Sequence, residues 1–357
     1  HYDSAINRNL SMTAKNNSRR TGRVTLQDVA DEAGVGTMTV SRALNRPHMV
    51  SEAFRQRILK AVARTGYVPN RAASGLASGG VALIPVVLPT LHHSVYVPLL
   101  DGLHSVLPGA GFEILVSCTE YMIDYEETLL ANLLGWNPRG IILSGIDHSA
   151  ATRTRLKKAS IPVIEVMDTD GAPLDRSVGF SHEAVGSTAA NYLADLGRRN
   201  IVYTGTQVEI DGRSIRRIGG FQGALAARRL PNSQIKSLNE SSSIGVGRRL
   251  LSQVLERYPK TDAIFCGNDD LAAGALFECQ RRSIGVPEQI AILGFNDLEI
   301  AREVTPAISS IATPRREMGC LAGELLIAQI EKRSKSGKRC IDLGFQLIER
   351  ASTKTVL

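Results

Sequence analysis

The chain has 357 residues, 43% of them hydrophobic, and a formal net charge of +7. That is too long for one ordinary domain, and with no apolar run of about 18 residues and no signal-peptide pattern it reads as neither membrane-spanning nor exported. The charge is uneven: residues 1–80 hold 12 Lys and Arg against 5 Asp and Glu, while 81–357 hold 30 of each, so the whole excess sits at the N-terminal end, as phosphate binding requires.

Residues 1–22 are polar and read as a disordered tail. Residues 23–69 then spell two short helices joined by a glycine turn, followed by a third amphipathic helix, which is the pattern of a helix-turn-helix head. Thr25 and Asp28 have capping-box spacing, with Leu26, Val29 and Ala30 on one helical face. Gly34 suits the left-handed turn position. The second helix is expected over Thr37–Asn45, burying Val40 and Leu44 and leaving Thr37, Met38, Ser41 and Arg42 outward. Ser51 is expected to cap the third helix, whose Phe54, Ile58 and Val62 would pack the small core.

Side chains near the start of the second helix reach base edges in such heads. Arg42 suits a bidentate contact to guanine, and Met38 and the Thr37 methyl suit thymine methyls. Gly36, Thr39 and Ser41 offer amide or hydroxyl donors to phosphate. Thr25 and Asn45, at the two ends of the motif, complete the expected contact set.

Beyond residue 80 the pattern changes to alternating strands and helices. ALIPVVLP, FEILVSC, GIILSG and PVIEVMD read as strands of one run; IVYTG, AIFCGND and IAILGFND read as strands of a second, with amphipathic helices between them. Such alternation builds parallel α/β sheets that bind ligands at the carboxyl ends of their strands, in a cleft between lobes. Polar groups stand at those ends: Asp168 closes VIEVMD, GND occupies 267–269 and GFND 294–297. Arg217 is expected to open a helix after IVYTG and its loop.

An enzyme reading finds little support. His92, His93, His104, His148 and His182 have no partner at useful ligand or nucleophile spacing, and no nucleophile elbow, Walker loop or GxGxxG occurs. The five cysteines, at 118, 266, 279, 320 and 340, lack CxxC or Cys/His spacing. They read as reduced thiols of a cytoplasmic protein with no metal and no cofactor.

The run VTLQDVADEAGV…TVSRALN…GYVPN resembles the head of the lactose-repressor family of bacterial transcription regulators, and the likeness continues to the C-terminus. The resemblance implies a hinge helix over 70–80, capped by Asn70, with Leu76 as an apolar wedge in the minor groove. It implies a core over 81–357 similar to periplasmic sugar-binding proteins, with chain crossings near Gly179–Ser181, near Ser309–Thr313 and after about Arg339. That gives an N-lobe of 81–179 plus 310–339 and a C-lobe of 180–309 plus 340–357. It places effector contacts on Arg217, Asn268, Asn296 and the region of Asp168, with Tyr96 and Ser242 as lining.

The family commonly carries Asp where GFND has Asn296; the change removes a negative charge, and with Arg217 nearby the pocket should tolerate an acid group. LPTLHHSVYVPLLDGL, SVGFSH and IFCGNDDLAAGALFECQRR resemble the gluconate-utilisation branch. The implied protein is a repressor, a homodimer on palindromic operator DNA, released by gluconate or a related sugar acid. A regulator responding to another sugar or a sugar phosphate remains the alternative. A transport-type binding protein is disfavoured by the basic head. The final KTVL carries no heptad leucine tail, which favours a dimer over a tetramer.

Overall fold

The computed structural model describes residues 24–68, 82–333 and 338–354. The expected tail over 1–22 and hinge over 70–80, with Asn70 and Leu76, therefore lie outside the described residues. The chain forms two compact units, 1–77 and 78–357.

The first unit contains α1 (Leu26–Ala33), α2 (Thr37–Asn45) and α3 (Glu52–Thr65). Asp28 closes the capping box of α1 despite its short side chain. Its amide donates to Thr25 Oγ1 at 3.3 Å, and the Thr25 amide donates to Asp28 Oδ2 at 2.7 Å. Gly34 ends α1 at φ +58°, and a Cβ there would meet Arg57 Nη2 at 2.3 Å. Val29, Ala30, Ala33, Val40, Ala43, Ile58 and Ala61 form the core, with Leu44 and Val62 packed against it. Two expectations fail at the start of α3. Phe54 is 46% exposed, whereas Val50 and Tyr67 pack against the core. Ser51 stands at the N-cap position, but its side chain makes no capping bond.

The second unit holds two six-stranded sheets. The N-lobe sheet contains β1 (Leu83–Leu88), β2 (Glu113–Cys118), β3 (Ile141–Ser144), β4 (Val163–Val166), β5 (Arg176–Gly179) and β11 (Cys340–Asp342), in the order β11-β5-β4-β3-β1-β2. The C-lobe sheet contains β6 (Ile201–Thr206), β7 (Ile235–Leu238), β8 (Ala263–Cys266), β9 (Ala291–Asn296), β10 (Ser309–Ala312) and β12 (Gln346–Ile348), in the order β12-β10-β9-β8-β6-β7. Neighbouring strands are parallel except β12, which runs antiparallel to β10. Sheets covered on both faces want strands apolar on both faces, and Ile84–Leu88 is buried throughout.

Helices cover these sheets. They are α4 (Val97–Val106), α5 (Ile123–Gly135), α6 (Ala150–Ala159) and α7 (His182–Asp195), then α8 (Gly212–Ala227), α9 (Ile244–Arg257), α10 (Asp269–Arg281), α11 (Glu299–Glu303) and α12 (Arg315–Ile330).

The later crossings fall near Ser309–Thr313 and after Arg339, and only the expected lobe bounds at 310 and 340 shift, by a few residues. Ser309–Ala312 stays with the C-lobe because Ser309 lies opposite Leu293 of β9. Cys340–Asp342 stays with the N-lobe because Cys340 lies opposite Ser177 of β5. The chain thus changes lobe after Ala312 and again between Asp342 and Gln346. The first crossing lies between β5 and α7, at 180–181.

Helices α7 and α8 pack unusually close. A Cβ on Gly186 would lie 1.8 Å from the Arg217 carbonyl oxygen, and one on Gly220 would lie 2.0 Å from that of Glu183. Backbone cannot yield there as a flexible side chain would. Gly186→Ala is therefore expected to destabilise the protein by about 1–3 kcal/mol. A thermal melt checks this; an unchanged midpoint would show that the helices can separate freely.

The N-lobe interior also buries charge. His148, after β3, has Nδ1 2.8 Å from Glu126 of α5 and Nε2 3.3 Å from Glu165 of β4. Burial opposes the imidazolium, but the two carboxylates outweigh it and raise the pKa from 6.5 to about 9. The folded state thus binds a proton more tightly than the unfolded one. Its contribution to stability is complete below about pH 6.5 and lost as pH rises through about 9, up to roughly 3 kcal/mol in all. Urea unfolding at pH 6.5 and 9 should show this fall, and His148→Gln should flatten it.

Candidate effector cavity and DNA-reading helix

In the first unit, α2 presents an outward face set by helical spacing. Val40 and Ala43 point into the core, while Met38 is 66% exposed. Arg42, one turn further on, is also exposed, so the two share a face. Thr37, Thr39 and Ser41 are half-buried, and Gly36 is exposed at the N-cap without a side-chain cap. The Thr39 and Val40 amides bond back to the Gly36 carbonyl. The amides before them have no acceptor within the helix, which makes its start receptive to an anion. Thr25 stands half-buried before α1, its hydroxyl engaged with Asp28. Asn45 is the last residue of α2; its side chain lies outside what is described.

In the second unit, a cavity of about 690 Å³, its open mouth included, lies between the lobes. The N-lobe contributes His93, Val95, Tyr96, Tyr121 and Met167. The C-lobe contributes the start of α8 (Asp211, Arg213, Ser214, Arg217), the residues after β8 (Gly267, Asn268, Asp270, Leu271) and the end of β9 (Phe295, Asn296), together with His182, Tyr203, Thr206 and Leu298. These are carboxyl ends of parallel strands and the helix starts that follow them, where α/β sheets bind ligands.

Four of the six expected effector residues come together here: Tyr96, Arg217, Asn268 and Asn296. Ser242 stands one hydrogen bond behind the wall, accepting from Asn268 Nδ2 at 2.7 Å. Asn268 also caps α10 by accepting from the Leu271 amide at 3.0 Å. Asp168 does not line the cavity. It is fully buried and accepts from the Asp170 amide at 2.9 Å and from Arg216 at 2.5 Å. Arg216 also grips Asp147 at 2.7 Å, so this trio ties α8 of the C-lobe to loops of the N-lobe.

Arg217 lies on the second turn of α8 rather than at its start, because the helix begins at Gly212. Its guanidinium is largely committed to the wall. Nη1 meets His182 Nδ1 at 2.9 Å, Nη2 donates to Ser214 Oγ at 3.0 Å and to Tyr203 OH at 3.4 Å, and Cζ stacks 4.6 Å from the Phe295 ring centre. Its Nε is buried without a partner. His182 Nε2 lies 2.9 Å from the Met167 carbonyl. A carbonyl only accepts, so the ring proton is on Nε2 and Nδ1 accepts from Arg217. Burial, Arg217 and Arg213 together hold the His182 pKa well below its usual value, and the ring stays neutral.

Asn296 ends β9 at φ +98°. Its carbonyl accepts from Arg315, while its Oδ1 is buried in the cavity wall with no partner. A ligand hydroxyl would satisfy that acceptor.

Sequence reasoning missed Arg213, Asp211, Tyr121, Asp270 and His93. Arg213 is 7% exposed. Its Nε donates to Asp211 at 3.0 Å, and its Nη1 donates across the cleft to Tyr96 OH and Ser144 Oγ, each at 3.2 Å. Burial opposes charge on Asp211, but Arg213 and Arg217 beside it hold its carboxyl below the usual range. Burial raises the Asp270 and Tyr121 pKa values and lowers that of His93. The i,i+4 spacing of Arg213 and Arg217 on one helix face was the available signal, hidden by placing the helix start too late.

Comparison with known proteins meets this geometry. Residues 25–70 match the model for bacterial regulatory proteins of the lacI family, and 190–353 match a periplasmic binding protein-like domain. The HTH-type transcriptional regulator GntR of Pseudomonas aeruginosa is 39% identical over 94% of this chain and 98% of its own. The regulator IdnR of Escherichia coli is 36% identical over 92% and 98%. The crystal structure of a LacI-family regulator from Silicibacter pomeroyi superposes with a TM-score of 0.88, at 34% identity, over 93% of this chain and 99% of that one.

The chain belongs to the LacI family.

Its fold is that of the family, a helix-turn-helix head with a two-lobed α/β core. This LacI-family protein is a transcriptional regulator, as its relatives are, and not an enzyme. Among the described residues no helix is long and apolar enough to cross a membrane, and no cluster of three or more His, Cys, Asp or Glu is arranged to hold a metal. All five cysteines are free thiols. Burial pushes those of Cys266 and Cys279 up to about 12, which leaves them inert at neutral pH.

Proposed function

We propose that this regulator is a repressor, acting as a homodimer on a palindromic operator and released when a small sugar acid of the gluconate type enters the interlobe cavity. The observation that carries the reading is a pair of buried guanidinium groups, Arg213 and Arg217, in a cavity otherwise rich in amide, hydroxyl and carboxyl groups. Such a site suits a polyhydroxy acid, with Asn268, Asp270, Asn296 and His93 serving hydroxyls and the arginines serving the acid. Tyr96 and the second-layer Ser242 complete the wall; Asp168 acts through Arg216.

On DNA, Arg42, Met38 and Thr37 read bases, and Thr25, Gly36, Thr39, Ser41 and Asn45 hold the backbone. Asn70 and Leu76 take the hinge role that the family likeness gives them. A ligand that favours one lobe arrangement, and an operator that favours another, weaken each other by linkage.

A neutral-sugar reading has one observation in its favour: Asp211 and Asp270 balance the two arginines in the cavity wall. Titrating gluconate or glucose into full-length protein bound to labelled operator separates the two. Release by gluconate at concentrations where glucose does nothing supports the acid. Release by glucose alone, or tighter binding with gluconate, removes it.

A further inference from the structure

We propose that Arg213 is the residue that selects an acidic effector, and that it does so from a position bridging the two lobes. This rests on the acid-effector reading above and names the group that recognises the acid.

The two cavity arginines are not equivalent. Arg217 spends Nη1 and Nη2 on His182, Ser214 and Tyr203, and its face on Phe295. Of its five N–H groups only that of Nε and one on Nη1 remain, and these lie on different edges of the guanidinium, so they cannot form the two parallel bonds that make a carboxylate–guanidinium pair specific. Arg213 is held by Asp211 through Nε, on one side of the fork. Its outer edge meets only neutral oxygens, Tyr96 OH and Ser144 Oγ, and no hydrogen bond from Nη2 is found among the described residues. A carboxylate offers that edge a charge-assisted, bidentate partner about twice as strong as a neutral one. A sugar hydroxyl offers no more than the phenol and the serine already there. Arg213 is only 7% exposed, so little water competes for the exchange. Asp211 offsets the guanidinium charge from Nε, without occupying that outer edge.

The same exchange has a mechanical consequence. Arg213 belongs to α8 of the C-lobe, whereas Tyr96 and Ser144 belong to the N-lobe. A carboxylate that takes the outer edge of Arg213 competes with two contacts that join the lobes. Arg216, one turn later, keeps its own ties to Asp147 and Asp168. Acid binding thereby loosens one end of the α8 bridge while the other holds, which favours rotation of the lobes over their separation.

The test uses full-length protein without DNA and calorimetric titration with gluconate, galactonate and glucose. The parent should prefer the acids over glucose. Arg213→Gln should lose at least ten-fold in affinity for both acids and bring the acid-to-glucose ratio close to one. Arg213→Lys keeps the charge but not the fork, and should keep part of the acid preference; this variant carries the test if Gln disturbs folding, checked by melting. A parent that prefers acids together with an Arg213→Gln variant that keeps the same ratio overturns the assignment alone. Equal losses in the Lys and Gln variants would mark Arg213 as packing and also overturn it. A parent that binds neither acid overturns the acid-effector reading, and this inference with it.

Discussion

Replacing Arg42 with Ala is expected to cost roughly 1–3 kcal/mol of operator discrimination at each half-site, because one bidentate guanine contact is worth about that much. A two-fold dimer makes the contact twice, so the loss approaches three orders of magnitude when both half-sites carry the guanine. Helix α2 supports the expectation: Arg42 is exposed, one turn from Met38, on the face opposite Val40 and Ala43. The change removes no core atom, so the melting temperature should stay within about two degrees, as for a surface substitution. Competition binding against a base-substituted operator is the measurement. The parent should discriminate strongly and the variant weakly, while binding to unrelated DNA drops only by the one charge lost from each protomer. Undiminished discrimination would move the base contact to another residue of α2.

The parts of this protein that were legible in the sequence share one property: their local pattern and their tertiary role agree. The capping box at Thr25, the glycine turn at Gly34 and the run TMTVSRALN each read as structure without help from distant residues, and α2 occupies the span its pattern predicts. The buried parallel strands β1, β3 and β8 are apolar on both faces and announce themselves in the same way. The less legible strands are polar. Ser309 and Ser310 are fully buried in β10, yet look like loop residues. Their hydroxyls are satisfied by distant groups, Ser309 by the Arg350 carbonyl at 3.0 Å and Ser310 by Asp269 at 2.6 Å, and no local pattern encodes such partners. β11 likewise exists by pairing with β5, across more than 160 residues of chain. Those two strands decide where the chain changes lobe, which is why the lobe bounds at 310 and 340 were set a few residues early.

The cavity shows the same division. Asn268 and Asn296 follow apolar strands and could be placed by position alone. Asp168 also follows such a strand, but Arg216 captures its carboxylate, and position does not tell an aimed side chain from a captured one. Arg213 and Asp211 were missed because RSIRR looks like a solvated basic run until α8 is known to begin at Gly212. Phe54 is the converse case, with correct helical spacing but an exposed side chain outside the packed core.

Arg217→Ala should abolish the effector response altogether, and for a different reason from loss of an acid partner. The guanidinium donates to His182, Ser214 and Tyr203 and carries Phe295 on its face. Removing it leaves the His182 Nδ1 acceptor buried and unpaired, at about 1–3 kcal/mol, and forfeits a desolvated cation–π contact of about 2 kcal/mol. The wall formed by these groups then loses its fixed shape, and a preformed site becomes one that the ligand must order. Affinity should therefore fall by at least a hundred-fold for acids and neutral sugars alike, whereas Arg213→Gln spares the neutral ones. Operator binding without effector should survive, because the helix-turn-helix head belongs to the other compact unit. Anisotropy of labelled operator reports both quantities in one titration. Release of DNA at the parent's effector concentration would show that His182 and Phe295 hold the wall without the arginine. Release lost for acids only would transfer the carboxylate to Arg217 and leave Arg213 as the tie between lobes.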